Sequence, residues 1–232
     1  MIKGVFFDLY QTLIHYDPPR EEIIAQALTE FGIEQKPEIF REPIVTADEF
    51  IYGEIARKPL SARSTEEKMA LYARHQAIML KESGIDADEN LIMKLLARMQ
   101  QTSLNLVLFD DVAPTLNDLK KQGLTLGLIS NVEDNMADTL EKLGLTSLLD
   151  VIVTSQDAGT GKPNPEIFLE ALKRAGIQPG EALYIGDQYQ VDVIGARNAG
   201  MTSILLDRTN HYREITDCPR IQSLAEIENL LK

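Results

Sequence analysis

Four short apolar runs, each stopping at a polar stretch, constrain the fold of this chain more than anything else in it. Val5-Phe6-Phe7 stops at Asp8, and Leu124 to Ile129 stops at Ser130-Asn131. Val151-Ile152-Val153 leads into Gly161-Lys162-Pro163-Asn164-Pro165, and Ala182 to Ile185 stops at Gly186-Asp187, with Asp192 following. Unbroken runs rich in Val, Ile, Leu and Phe suit strands covered on both faces. Open parallel sheets gather the carboxyl ends of their strands at one edge, where ligand crevices form. The polar residues that end these runs are therefore expected to converge.

The segments between the runs read as helices. Val112 to Gln122 ends at Gly123, and Glu133 to Leu143 at Gly144. Pro165 to Ala175 is stopped by Gly176, Val191 to Ala199 by Gly200, and a strand follows at Thr202 to Leu206. A last helix is expected near Ser223 to Leu231. Strict strand–helix alternation implies right-handed crossovers and a parallel sheet between two helical layers.

One long stretch breaks this alternation. From Arg20 the apolar residues take a helical period (Ile23, Ile24, Ala27, Leu28, Phe31) that closes at Gly32. Pro37 and Pro43 interrupt the chain, and Thr46 to Arg57 reads as a second helix. Ser64-x-x-Glu67 is a capping box opening a third helix that ends near Gly84. Asp88 caps a fourth, striped by Leu91, Ile92, Leu95, Leu96 and Met99. The expected organisation is an α/β, Rossmann-like three-layer core of residues 1–14 and 106–232, with an all-helical cap of about four helices at 15–105.

Composition narrows the function. The chain has 232 residues, 44% of them hydrophobic, and a net charge of −13. That charge argues against nucleic-acid and anionic-membrane partners, which are held mainly by Lys and Arg. The single Cys218 permits no internal disulfide, and no apolar run approaches the ~20 residues that span a bilayer. A soluble cytoplasmic protein is the expectation.

Taken together, Asp8-x-Tyr10-x-Thr12, Ser130-Asn131, Gly161-Lys162-Pro163-x-Pro165 and Gly186-Asp187-xxxx-Asp192 resemble the four ordered motifs of the haloacid dehalogenase superfamily. The resemblance implies that Asp8 is a nucleophile, and a carboxylate nucleophile splits a difficult hydrolysis into two easier steps. It implies that Lys162 reduces repulsion between Asp8 and an anionic substrate and stabilises transition-state charge. Thr12 and Ser130, with backbone N–H groups around Asn131, are the implied substrate-binding groups.

Asp187 and Asp192 beside Asp8 need a cation, since three carboxylates would otherwise repel one another and a phosphate. Hard oxygen ligands describe a Mg2+ site. By resemblance Asp8, the Tyr10 carbonyl and Asp187 ligate it, with Asp192 close by. Tyr10 departs from the superfamily's phosphatases, which usually carry a second aspartate there as acid and base. A phenol, with pKa ~10, is a poor base at neutral pH. The haloacid dehalogenases have tyrosine at this position, but a non-acidic residue where Asp187 stands. Gln11 departs from both groups, which usually have glycine.

The reading the residues favour is a magnesium-dependent phosphomonoester hydrolase working through an aspartyl-phosphate on a small phosphorylated metabolite. A metal-independent 2-haloacid dehalogenase is the first alternative, with Arg20 or Arg41 as a candidate for the halide-side arginine. A non-catalytic binding protein on the same scaffold is the second. His15, His75 and His211 lie far apart and read as structural. Neither substrate identity nor assembly state is carried by these motifs.

Overall fold

A computed structural model describes residues 1–102, 104–132 and 136–231. The chain forms two compact units, one of Met1–His15 with Val107–Lys232, the other of Tyr16–Leu106.

In chain order, strand β1 (Gly4–Phe7) is buried throughout, and β2 (Ile14–Asp17) follows closely. Helices α1 (Arg20–Glu30), α2 (Arg41–Arg57), α3 (Thr65–Glu82) and α4 (Glu89–Gln100) make the helical unit. Strand β3 (Asn105–Leu108) pairs with β2, so the outgoing and returning segments form a two-stranded ribbon. Next come α5 (Val112–Lys121), β4 (Thr125–Ser130), α6 (Ala137–Lys142), β5 (Val151–Thr154), a short α7 (Ser155–Ala158) and α8 (Pro165–Ala175). Strand β6 (Ala182–Gly186), short α9 (Gly195–Asn198), β7 (Thr202–Leu206) and the two-residue β8 (Arg220–Ile221) complete the chain, with a 3-10 segment at Leu224–Asn229.

The main sheet has the order β5-β4-β1-β6-β7-β8, and every pairing is parallel. This is the α/β architecture expected from the alternation. From β1 the chain builds outward through β4 to β5, then returns to the other side of β1 at β6 and builds outward again. Strand order therefore reverses between β1 and β6, and such a reversal opens a crevice at the carboxyl ends. Asp8 and Asp187 each follow one of these two strands directly.

One face of the sheet buries Phe6, Ile129, Val153 and Tyr184 against Ile167, Phe168, Ala171 and Leu172 of α8. Phe6 lies so close over Gly127 that a β-carbon there would overlap its ring. The helical unit has its own core, built on Leu28, Phe40, Ala47, Met79, Leu80 and Leu95. Ser64 and Glu67 form the capping box of α3, and the Asp88 carboxylate accepts from Leu91 N–H at 2.8 Å.

Several elements differ from expectation. Helix α2 begins at Arg41, ahead of Pro43, because a first-turn residue needs no intrahelical N–H donor. The segment after β6 is a widened π-type turn over Tyr189–Ile194 leading into α9. Asp192 bonds Gln188 twice there, through its N–H to the carbonyl at 2.8 Å and through its carboxylate from the amide at 2.9 Å. The expected terminal helix is a 3-10 segment, whose entry is tied to Asp111 by Ser223 Oγ at 2.7 Å and Leu224 N–H at 2.9 Å. The expected helix at 133–143 is described from Ala137 only, and residues 133–135 lie outside the described residues. Among the described residues no helix is long and apolar enough to cross a membrane.

Candidate active site

Asp8 stands one residue past β1, 8% exposed. Lys162, just ahead of α8, is 2% exposed and reaches it from across the sheet. The Lys162 ammonium donates to Asp8 Oδ1 at 2.5 Å, to Asp192 Oδ1 at 2.7 Å and to the Tyr184 hydroxyl at 3.0 Å. An ammonium has three N–H groups, and each has a partner. Burial alone would lower the lysine's pKa, but Asp192 and Asp8 outweigh it and hold the group raised and charged. Burial pushes the Asp8 carboxyl up to about 6 and Asp192 adds to the rise, while Lys162 opposes it.

Asp192 is 1% exposed, and both of its oxygens accept protein donors. Oδ1 takes Lys162 and the Tyr184 hydroxyl, the latter at 3.0 Å, and Oδ2 takes the Gln188 amide. A β-carbon on Gly186 would overlap this carboxylate, so the glycine makes room for the acid. Asp187 is less buried and accepts from Gln188 Nε2 at 3.0 Å. One oxygen each of Asp8, Asp187 and Asp192 lies within 4.8 Å of the others. Hard oxygens at this spacing suit a small divalent cation such as Mg2+. Asp192 already accepts three protein donors, from the lysine, the tyrosine and a backbone amide, and Asp8 and Asp187 are the other two candidate ligands.

Asn131 does something the sequence does not suggest. Its side-chain amide brackets the Lys162 backbone, donating Nδ2 to the carbonyl at 2.8 Å and accepting the N–H on Oδ1 at 2.6 Å. The side chain is thus spent on holding Lys162 rather than directed at a substrate. Gly161 permits the approach, since a β-carbon there would lie 2.8 Å from Asn131 Oδ1. Ser130 ends β4 and is 3% exposed. Thr12 is fully buried, its hydroxyl without a hydrogen-bond partner among the described residues and its carbonyl accepting from Arg208 at 2.9 Å. Tyr10 follows Asp8 by two residues, and its phenol points at the Met136 sulfur, 4.0 Å away.

The remaining candidates take structural places. Within the helical unit Arg20 forms a two-pronged pair with Asp48, at 3.0 and 2.5 Å, and His75 meets the same carboxylate at 2.9 Å. Arg41 pairs with Glu21 at the surface, at 3.1 Å. In the α/β unit His15 stacks on Phe109, with ring centroids 4.5 Å apart, and the His211 N–H donates to Asp207 at 2.7 Å. Two residues that sequence reading passes over also matter. Arg208 binds Asp111 through its two terminal nitrogens at 2.9 Å, and one of them also donates to the Thr12 carbonyl, tying the Thr12 loop to Asp111. Tyr184, which reads only as a core strand residue, places its hydroxyl between Lys162 and Asp192.

With this arrangement in view, the comparisons decide the family. Residues 2–200 match the haloacid dehalogenase-like hydrolase family. The chain belongs to that family. It is also 30% identical, over 90% of its length and 85% of the relative's, to a protein from Methanopyrus kandleri named glyceraldehyde 3-phosphate phosphatase. Among solved structures, a HAD phosphatase from Thermococcus onnurineus superposes with a TM-score of 0.59 at 25% identity, covering 99% of this chain and 98% of that one. A 2-haloacid dehalogenase from Pseudomonas syringae pv. Tomato DC3000 superposes at 0.58 with 30% identity, covering 100% and 98%. This hydrolase thus has relatives on both sides of the question that Tyr10 raises.

Proposed function

We propose that this haloacid dehalogenase-like hydrolase is a magnesium-dependent phosphatase acting on a small phosphomonoester. The observation that carries the reading is the acid at the end of β6. An Asp187 oxygen lies within 4.8 Å of oxygens of Asp8 and Asp192. Three carboxylates close together carry more negative charge than Lys162 alone offsets, and an acid at the Asp187 position would repel a haloacid's carboxylate. A bound Mg2+ would offset that charge and draw density from the phosphoryl oxygens. The relative named glyceraldehyde 3-phosphate phosphatase supports a phosphorylated substrate, and that sugar phosphate heads the candidates.

The residues divide the work as follows. An Asp8 carboxylate oxygen attacks phosphorus, the phosphorus–ester oxygen bond breaks, and an aspartyl-phosphate forms as the alcohol leaves. Water then attacks that phosphorus and releases inorganic phosphate, restoring the Asp8 carboxylate. Lys162 keeps its charge against Asp8 and offsets the negative charge the phosphoryl group brings. Tyr10 stands where a second aspartate would serve as acid and base. Its phenol stays protonated at neutral pH: it can hydrogen-bond a departing alkoxide, which takes its proton from solvent, but it cannot serve as the base for water, so release of phosphate from Asp8 is the slow step in this account. The helical unit is assigned the choice of substrate.

Tyr10 and the Pseudomonas syringae neighbour favour a second reading, halide displacement by Asp8 from a 2-haloacid. One experiment separates the two. Phosphate release from a phosphomonoester panel that includes glyceraldehyde 3-phosphate is run beside halide release from 2-chloropropionate. Both arms are run with magnesium and with chelator, and with Asp8→Asn as control. Magnesium-dependent phosphate release that Asp8→Asn abolishes is expected. Chelator-insensitive halide release would overturn the proposal in favour of the dehalogenase.

A further inference from the structure

Tyr184 is a core residue whose packing does not need its hydroxyl. It lies in the middle of β6, is fully buried, and sets its ring edge-on against Phe168 with centroids 5.0 Å apart. A phenylalanine would fill the same space. A hydroxyl taken out of water costs free energy unless it is hydrogen-bonded, so an apolar core would exclude one without use. Here the oxygen accepts a Lys162 N–H at 3.0 Å and its hydrogen points to Asp192 Oδ1 at 3.0 Å, with the Ile129 carbonyl a longer alternative at 3.4 Å.

The consequence lies with the lysine. Two of its N–H groups go to carboxylates on Asp8 and Asp192, and the third goes to Tyr184. Without that third partner one N–H would be buried and unpaired, and the ammonium could turn or withdraw to satisfy it. We propose that Tyr184 is a positioning residue for catalysis, its hydroxyl fixing the Lys162 ammonium so that one N–H stays on the attacking carboxylate of Asp8. The assignment rests on the hydrolytic role given to Asp8 and Lys162, and it adds a partner that packing alone does not supply.

The test compares Tyr184→Phe with Leu172→Ala, a cavity variant on α8 in the same core. Turnover of p-nitrophenyl phosphate with magnesium and melting temperature are measured for both. Tyr184→Phe is expected to lower kcat about tenfold with KM within about twofold, the scale of one hydrogen bond to a charged group, and to melt no lower than Leu172→Ala. Leu172→Ala is expected to melt lower yet keep its kcat per folded molecule. A Tyr184→Phe kcat within about twofold of wild type, or one lost only in proportion to the folded fraction, would overturn the proposal.

Wild-type silence toward p-nitrophenyl phosphate with halide release from 2-chloropropionate would defeat the phosphatase reading alone. The same kcat comparison then runs on the haloacid, because Lys162 holds Asp8 in either reaction. If neither substrate turns over, urea unfolding of Tyr184→Phe, Lys162→Met and the double variant decides the matter. Coupling between the two is expected, and strict additivity would overturn the contact itself.

Discussion

Gln11 adopts a φ of 59°, a left-handed conformation that costs a side-chain-bearing residue ~1–2 kcal/mol and glycine almost nothing. The site loop between Asp8 and Thr12 therefore demands the shape for which the superfamily usually uses glycine, and this chain adopts it with glutamine. Gln11→Gly is expected to raise the unfolding free energy by ~0.5–1 kcal/mol, read from urea midpoints; a loss of stability would show that the glutamine side chain contributes contacts of its own. Tyr10 is the other departure in this loop. If weak basicity slows phosphate release, Tyr10→Asp should raise phosphatase kcat, and no gain in a folded variant would refute that account of the slow step. The identities of Asp8, Lys162 and Asp187 could be read in sequence because each ends a buried run or sits among prolines and glycines. Tyr184 could not. A tyrosine within Ala-Leu-Tyr-Ile-Gly looks like strand packing, and its hydroxyl's partners come together only once β6, the Lys162 loop and the turn after Gln188 are assembled.

Among the elements, the helical unit is pinned by one buried acid. Asp48 of α2 holds Arg20 of α1 and His75 of α3, with its own side chain 5% exposed. Burial opposes its ionisation, yet Arg20 and His75 hold the carboxyl below its ordinary value of 3.8. A depressed carboxyl contributes stability above its unfolded pKa, which disappears as pH falls through the folded one. The helical unit should therefore lose stability below about pH 4. Asp48→Ala, which takes the carboxylate from a half-buried Arg20, should cost ~2 kcal/mol in urea unfolding at pH 7; a loss under ~1 kcal/mol would mean that water satisfies the arginine. Capping signals made α3 and α4 legible, since Ser64, Glu67 and Asp88 mark their starts locally. The β2–β3 ribbon left no such signal, because each half is four residues long and incompletely buried, and the halves lie far apart in the chain.

For the whole molecule, the parallel order β5-β4-β1-β6-β7-β8 is what makes the chemistry local. Strand–helix alternation predicts a parallel sheet but not its strand order, so β1 had to be placed by the structure. Once it lies between β4 and β6, the reversal of winding sets Asp8 and Asp187 side by side, and Lys162 enters from the β5 side of the sheet. The proposed phosphatase chemistry requires that this adjacency hold a cation, which a metal-independent dehalogenase would not need. Calorimetric titration of Mg2+ into the wild type and into Asp187→Ala tests it without relying on any substrate. Saturable binding to the wild type that Asp187→Ala abolishes is the predicted result. No binding to the wild type, or equal binding to both proteins, would contradict the account.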